Sequence, residues 1–341
     1  MPGNKTFRFL CLIAFSLFLC QIHVPLNTVH GADRFLIKFA TVAPEGSTWM
    51  NHMRELDKKL RTKSQGRIGF RIYAGGVAGD ELDVLRKIRI GQIHSAAFSG
   101  VGFGQILPMV RILDLPFLFR NDGEIDLAHR SLQDDFSAHF QEKGFELISW
   151  AEVGNVHLFS QKPIEQVGDL SRLKVWAWSG DPIAKETFTA MGTNPIPLAI
   201  TDVTTSLSTG MIDTVYAPPL GALALQWYTS VKYMMSLPLA HSTGAVLLTK
   251  AYADQIPADL LKMLKEEFQS AMVALTSDLR MQSEETIRLL EKRGLTILPL
   301  PSGADLQAFY KVHDQVALAL AGEIYPKELL DRVYSILGRR P

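Results

Sequence analysis

Strand-like and helix-like segments alternate along the chain, and this alternation constrains the fold more than any other feature. Three apolar, β-rich segments are followed by stretches in which apolar residues recur at helical spacing. The segments lie at 35–42, 68–73 and 93–99. Asp80 is placed to cap the helix that follows the second of them. Strands that alternate with helices form a mostly parallel sheet, so the sequence predicts an α/β fold.

The alternation resumes beyond residue 144 and predicts a second lobe. Strand-like segments are expected at 145–150, 156–160, 173–178, 211–216 and 245–249. Helices are expected at about 181–192, 201–209 and 217–228. Because neither a repeat nor a low-complexity linker separates the halves, we expect two lobes joined by several short crossings.

One helical stretch, from Pro257 to Arg293, is long enough to bridge both lobes. Pro257 suits a first helical turn, and Gly294 suits a C-terminal cap. At 1.5 Å per residue such a helix would be about 55 Å long. The alternative is two helices broken near 276–277. The lobes are predicted as 32–153 with about 242–281, and 154–241 with about 282–341.

The N-terminal segment, 1–31, has the pattern of a secretory signal peptide. A positively charged start precedes an uncharged apolar run from Phe9 to Cys20, which is too short to cross a bilayer. Small residues at Gly31 and Ala32 predict cleavage there and a periplasmic mature protein. Two alternatives stay open: an uncleaved anchor, and a lipoprotein attached through Cys20, which lacks the small preceding residue that such a site prefers.

Charge and cysteine content exclude several classes of protein. Lys and Arg total 35 and Asp and Glu total 35, so the net charge is zero. The chain therefore lacks the excess of positive charge that is typical of nucleic-acid-binding proteins. The two cysteines, Cys11 and Cys20, both fall within the predicted signal peptide. A disulfide framework or a cysteine metal site is therefore not expected.

Sequence motifs for catalysis are missing. The glycine-rich stretches 75–79 and 100–104 match neither a dinucleotide fingerprint nor a phosphate loop. The chain has no nucleophile elbow and no zinc-protease motif, and its histidines are scattered. We expect a binding protein without catalytic residues, cofactor or metal, whose ligand lies in a cleft at the carboxyl ends of the strands.

Five segments, in order, resemble the DctP-type substrate-binding proteins of TRAP transporters. They are Lys38–Pro44, Gly75–Gln92, the Leu-Pro-Phe-Leu-Phe run 115–119, Asp169–Val175 and Asp202–Asp213. The resemblance covers the mature chain almost end to end. It implies a two-lobe periplasmic-binding-protein-like fold with a hinge and a long bridging helix. It also implies closure on a small-molecule ligand and delivery to the membrane permease subunits.

One position departs from the family pattern. The family typically has an arginine after Leu-Lys-Val that grips the carboxylate of the ligand, and this chain has Trp176. Lys174 is expected nearer the exposed start of the strand and does not replace that arginine. An indole offers a large apolar face and one N–H donor. Trp178 would share the strand face of Trp176, as an aromatic wall or as core. The departure predicts an uncharged or largely apolar ligand.

The other candidate ligand-binding residues lie at strand ends and in loops. They are Ala43, Pro44, Ser99, Gly100, Phe117, Asn155, Asp181, Tyr216 and Pro218. Tyr216 would offer a hydroxyl, Asn155 an amide, and Ser99 and Gly100 backbone donors. Packing or turn roles are the alternatives, and helix capping is the favoured role of Asp181.

We therefore expect an extracytoplasmic solute receptor of a TRAP-type importer. One alternative is a cationic or zwitterionic ligand held by a tryptophan cage, which an acidic Asp181 would favour. Another is a receptor that reports to a sensor kinase, and a periplasmic enzyme is less favoured. Oligomeric state is left open, with a monomer as one option.

Overall fold

The computed structural model describes residues 35–339, so the predicted signal peptide lies outside the described part. An eight-stranded sheet runs through it in the order β10-β8-β4-β9-β3-β1-β2, with β7 also paired to β4. The remaining strands, β5 and β6, form a two-stranded sheet. The strands are β1 (Phe35–Ala40), β2 (Ile68–Tyr73), β3 (Ser95–Ser99), β4 (Phe145–Ser160), β5 (Trp176–Trp178), β6 (Ile196–Leu198), β7 (Thr214–Ala217), β8 (Tyr233–Met235), β9 (Ala240–Thr249) and β10 (Thr296–Leu298).

Helices cover the sheet and connect its strands, which confirms the predicted α/β class. The α-helices are α1 (Thr48–Lys63), α2 (Glu81–Arg89), α3 (Gly100–Gly104), α4 (Asp122–Glu142), α5 (Pro182–Ala190), α6 (Val203–Ser208), α7 (Pro219–Ala224), α8 (Lys250–Ala253), α9 (Ala258–Lys292), α10 (Gly303–Leu320) and α11 (Lys327–Ile336). Short 3-10 helices lie at Pro108–Asp114, Val167–Arg172, Ile200–Asp202 and Trp227–Thr229. Within residues 35–339 no helix combines the length and the apolar character that a membrane span needs.

Two long strands connect the halves of the main sheet. In the first lobe β1 pairs in parallel with β2 and β3, and β9 runs antiparallel to β3. In the second lobe the end of β4 pairs with β7 and β8, and β8 pairs with β10. We use "first lobe" for β1–β3 with α1–α4, and "second lobe" for β5–β8 and β10 with α5–α7. Strands β4 and β9 pair along ten positions and pass from one lobe to the other.

Several elements differ from the sequence prediction. Strands β6, β8 and β10 and helix α4 were not predicted, and β9 begins earlier than the expected 245–249. The two strands expected at 145–150 and 156–160 form the single strand β4, because β-bulges near Ile148 and Val153 absorb the irregularity. The strand expected at 173–178 is reduced to the three residues of β5. The helix expected at 217–228 stops at Ala224, because Gln226 takes the left-handed conformation at φ 59°.

Helix α9 is one unbroken helix of 35 residues, which confirms the predicted long helix and not its alternative broken near 276–277. Its first part packs on the core of the first lobe, where Leu264 and Phe268 join Phe39 and Phe70. Near its other end Leu290 belongs to the apolar cluster of the second lobe. The helix therefore spans both lobes of the sheet.

Candidate ligand-binding site

A cavity of about 590 Å³ lies where the loop after β1, the start of α3, strand β5 and the start of α5 meet. This volume is within the range of small-molecule sites. Most of the lining side chains are apolar, and seven are large aromatic residues. These are Trp49, Phe98, Trp176, Trp178, Phe188, Tyr216 and Trp227. The cavity is thus shaped to remove a sizeable apolar surface from water.

Strand β5 places both tryptophans on one face. Trp176 and Trp178 belong to one apolar cluster, whereas Val175 and Ala177 belong to another, as the two-residue period of a strand predicts. The ring of Trp176 stacks on Tyr216 at 4.8 Å between centroids and meets Trp227 edge-on at 5.4 Å. Its Nε1 donates to the carbonyl of Leu198 at 3.0 Å, and the side chain is 1% exposed. Trp176 is therefore a buried part of the aromatic wall, and its N–H already donates within the protein.

Trp178 joins the two lobes through Asp80. Its Nε1 lies 2.9 and 3.0 Å from the two carboxylate oxygens of Asp80. Asp80 is the N-cap of α2, as the sequence predicted, and accepts from the N–H of Glu81 at 2.8 Å. Burial raises the pKa of Asp80, although the indole hydrogen bond opposes that shift. All the donors on this carboxylate are neutral.

A second set of buried charges surrounds Arg111. Its Nη2 donates to Asp181 Oδ1 at 2.8 Å, and its Nε lies 2.9 Å from Asp114 Oδ2. Asp181 is the N-cap of α5 and accepts from the N–H groups of Ile183 and Ala184, which confirms the predicted cap. Burial raises the pKa of Asp114 to about 6, although the guanidinium opposes the shift. Arg111 is 4% exposed and is the only lysine or arginine among the described residues that line the cavity.

Glu81 is a further buried carboxylate in the cavity wall. It accepts from Ser99 N at 2.8 Å, from Ser99 Oγ at 3.0 Å and from Gly102 N at 2.7 Å. Burial raises its pKa to about 7. Ser99 was expected to present its backbone donor to the ligand, and that expectation is wrong because Glu81 takes the N–H. Gly100 is required by packing, since a Cβ there would lie 1.9 Å from Asp114 Oδ2.

The structure brings most of the predicted site residues together. Those that line the cavity are Ala43, Pro44, Ser99, Gly100, Trp176, Trp178, Asp181, Tyr216 and Pro218. Phe117 does not line it, because its backbone is left-handed at φ 57° and its ring packs on Phe309 and Tyr310. Asn155 does not line it either, and its Oδ1 lies 3.3 Å from Nδ1 of His241, which does. Lys174 is exposed and donates to the carbonyl of Gly210, away from the cavity.

Sequence reasoning missed four charged residues of the wall, namely Glu45, Glu81, Arg111 and Asp114. A signal was available for two of them. Arg111 and Asp114 interrupt the apolar run that leads into the segment 115–119, and an i,i+3 charge pair in such a run indicates buried ion pairing. Asp181 joins these charged residues only through a tertiary contact with Arg111.

Within the described residues no group of three or more His, Cys, Asp or Glu side chains is arranged to hold a metal ion.

Comparisons with known proteins give the family. Among curated proteins the chain is similar to the 2,3-diketo-L-gulonate-binding periplasmic protein YiaO of Escherichia coli K12, with 26% identity over 65% of this chain and 65% of that protein. The match thus spans a little under two thirds of that relative's length.

Solved structures share the fold. A TRAP periplasmic solute-binding protein from Polaromonas, bound to D-erythronate, matches with a TM-score of 0.82 and 21% identity over 90% of this chain and 100% of that one. The sugar acid binding protein DctPAm from Advenella mimigardefordensis, in complex with galactonate, matches with a TM-score of 0.84 and 17% identity over 89% and 98%. These neighbours are solute-binding proteins and not enzymes. The DctP model, described as bacterial extracellular solute-binding protein family 7, matches residues 39–322, and the chain therefore belongs to this family of solute receptors.

Proposed function

We propose that this protein is the extracytoplasmic receptor of a TRAP-type importer, which captures a small uncharged or largely apolar ligand and delivers it to the membrane permease subunits. The observation that supports this ligand class is the pairing of Arg111 with two aspartates of the protein. This guanidinium is already held by Asp114 and Asp181 in an otherwise aromatic and aliphatic cavity.

The energetics of the wall support this ligand class. A ligand carboxylate would lose its hydration, and the one lysine or arginine that it would meet among the described lining residues is Arg111, which is paired with two aspartates. An apolar ligand surface would instead gain roughly 25 cal/mol for each Å² removed from water. The partly exposed apolar side chains that line the cavity, such as Trp49, Leu220 and Leu223, provide such a surface.

An organic acid is the second candidate ligand. Diketo-gulonate, D-erythronate and galactonate, which the names of the similar proteins give, are all acids. The carboxylate of an acid would bind Arg111, and Asp114 or Asp181 would first have to move away from the guanidinium. The position that the family resemblance assigns to an arginine holds Trp176, so we propose that the acid-binding role is not retained there.

A cationic or zwitterionic ligand is a third candidate. It is favoured by the excess of Glu81, Asp114 and Asp181 over Arg111 in the wall and by the aromatic faces. Every one of these carboxylates already accepts hydrogen bonds from the protein, which weakens the case for a cationic ligand.

Three further points remain predictions. They are localisation in the periplasm after loss of residues 1–31, the bounds of the two lobes, and closure of the lobes about a hinge.

The test is mass spectrometry of the small molecule that co-purifies with the exported protein, released by unfolding. We expect a compound without a carboxylate, and its rebinding to emptied protein should be weaker in Trp176→Phe, which reduces the aromatic wall. Recovery of an organic acid that rebinds with high affinity would contradict the proposed ligand class. Co-purification of two permease subunits with the receptor would support the importer, and co-purification of a sensor kinase would contradict it.

A further inference from the structure

The groups around the Asp181 side chain form a complete carboxylate-binding site. Arg111 Nη2 lies 2.8 Å from Oδ1, and the N–H groups of Ile183 and Ala184 lie 3.0 and 3.2 Å from the same atom. Tyr216 Oη lies 3.5 Å from Oδ2. A guanidinium, the N-terminus of a helix and a phenol each favour a carboxylate anion. The occupant of this site is a side chain of the protein itself.

This site belongs to the wall of the ligand cavity. Arg111, Asp181 and Tyr216 all line the cavity, and Asp181 is 7% exposed. Arg111 follows α3 of the first lobe, whereas Asp181 begins α5 of the second lobe. The internal carboxylate thus reaches across the two lobes and accepts the hydrogen bond of Arg111 Nη2, while Nε of the same guanidinium faces Asp114.

We propose that Asp181 is a specificity-determining residue, which occupies on Arg111 the place that the carboxylate of an acidic ligand would take. This inference rests on the proposed function and deepens it, because it names the residue that excludes small organic acids. It follows that an acid can bind in this cavity only if the Asp181 side chain is removed or displaced. Removal of the Asp181 carboxylate should therefore create a site for small monocarboxylates.

The variant Asp181→Ser tests this directly. Serine keeps the N-cap of α5, and Asp114 remains beside Arg111, so the guanidinium is not left alone. Asp181→Asn is the matched control, because it also keeps the cap but fills the space with an uncharged side chain of the same shape. Formate and acetate are the probes, and chloride at equal ionic strength corrects for general salt effects.

We expect formate to raise the thermal midpoint of Asp181→Ser in a saturable way, with an apparent affinity at least about tenfold higher than for the unmodified protein. Asp181→Asn should respond to formate no more than to chloride. If Asp181→Ser is poorly folded, Asp181→Gly gives a second test, since glycine costs little at an N-cap. The refolding yield of either variant should then increase with formate.

A folded Asp181→Ser that responds equally to formate and chloride would overturn the proposal, and so would a refolding yield independent of formate in both variants. The outcome is separate from that of the proposed function. If the unmodified protein binds an organic acid while Asp181→Ser still gains a formate site, only the proposed ligand class fails. If the unmodified protein carries an uncharged ligand but the variant gains no formate site, only the role of Asp181 fails.

Discussion

Asp80 and Asp181 are both helix-capping aspartates that accept a hydrogen bond from the other lobe, yet their partners differ in charge. Asp80 accepts from the neutral indole of Trp178, whereas Asp181 accepts from the guanidinium of Arg111. Glu81, next to Asp80, also has only neutral donors, whereas Asp114 shares Arg111 with Asp181. The same capping role is thus combined with two kinds of contact between lobes.

The difference separates two properties of the cavity. On the Asp80 side two carboxylates are buried without a cation, so their ionisation is costly and sensitive to pH. On the Asp181 side the guanidinium of Arg111 compensates part of the negative charge, with Nη2 paired to Asp181 and Nε facing Asp114. Each side thus has a carboxylate whose pKa burial raises, Glu81 on the first side and Asp114 on the second. Only the second side contains a cation, and under the proposed function that side decides which ligand charge is accepted.

The largest expected effect is that of Arg111→Met. It leaves Asp114 and Asp181 buried without their cation, and removing one partner of a buried ion pair costs about 3–5 kcal/mol. Denaturant unfolding measures the loss. Arg54→Met is the control, because Arg54 pairs with Glu45 at the surface and should cost at most about 1 kcal/mol. Equal losses in the two variants would show that the Arg111 cluster contributes no more than a surface pair.

A pH-dependent effect is expected for Glu81→Gln. In the folded protein burial raises the pKa of Glu81 from 4.5 to about 7, so between these values the folded state binds more protons than the unfolded state. The unmodified protein therefore loses stability as pH rises from about 4.5 to 7, by roughly 3 kcal/mol at most. Glu81→Gln lacks this loss. Its stability relative to the unmodified protein should rise with pH across that window, as measured by unfolding at several pH values. A constant difference across the window would contradict a raised pKa for Glu81.

A smaller effect is expected for Trp178→Phe, which removes the N–H that Asp80 accepts and keeps an aromatic ring. Trp227→Phe is the matched control, because it removes an N–H that donates to the hydroxyl of Thr204. Since a hydrogen bond to a charged group is worth more than one to a neutral group, Trp178→Phe should cost about 1 kcal/mol more than its control. Equal costs in denaturant unfolding would show that the Asp80 contact behaves as a neutral hydrogen bond.

The smallest effect is expected for Gln105→Ala. Gln105 Nε2 donates to the carbonyl of Gly180 at 3.2 Å, which also joins the lobes, but the contact is exposed to water. Its loss should change the unfolding free energy by less than about 0.5 kcal/mol. A loss as large as that of Trp178→Phe would mean that burial does not distinguish the contacts between lobes.

Local signals in the sequence were enough to predict many of the elements and part of the site. The strand at 68–73 and helix α9 were predicted with their ends, because apolar period and end signals such as Pro257 and Gly294 act within a few residues. The shared face of Trp176 and Trp178 follows from strand geometry alone. Continuity of β4 through Gly154 and Asn155 was missed, because its bulges are sustained by pairing with β9.

The charge state of the cavity could not be predicted in the same way. Arg111 and Asp181 are separated by 70 residues and meet only in the folded protein. The sequence therefore allowed the loss of the family arginine to be noticed, but it did not indicate that another arginine reaches the cavity. It also gave no sign that Asp181, predicted as a cap, serves at once as the partner of that arginine.

Calorimetric titration of the emptied, unmodified protein with small organic acids tests the central claim most directly. The acids are succinate, D-erythronate and galactonate, and the compound that co-purifies with the protein is the positive control. Because Arg111 is occupied by Asp114 and Asp181, we predict no measurable heat of binding for the acids at concentrations that saturate the positive control. Tight binding of any of these acids would contradict the account, since it would show that Arg111 is available to a ligand carboxylate.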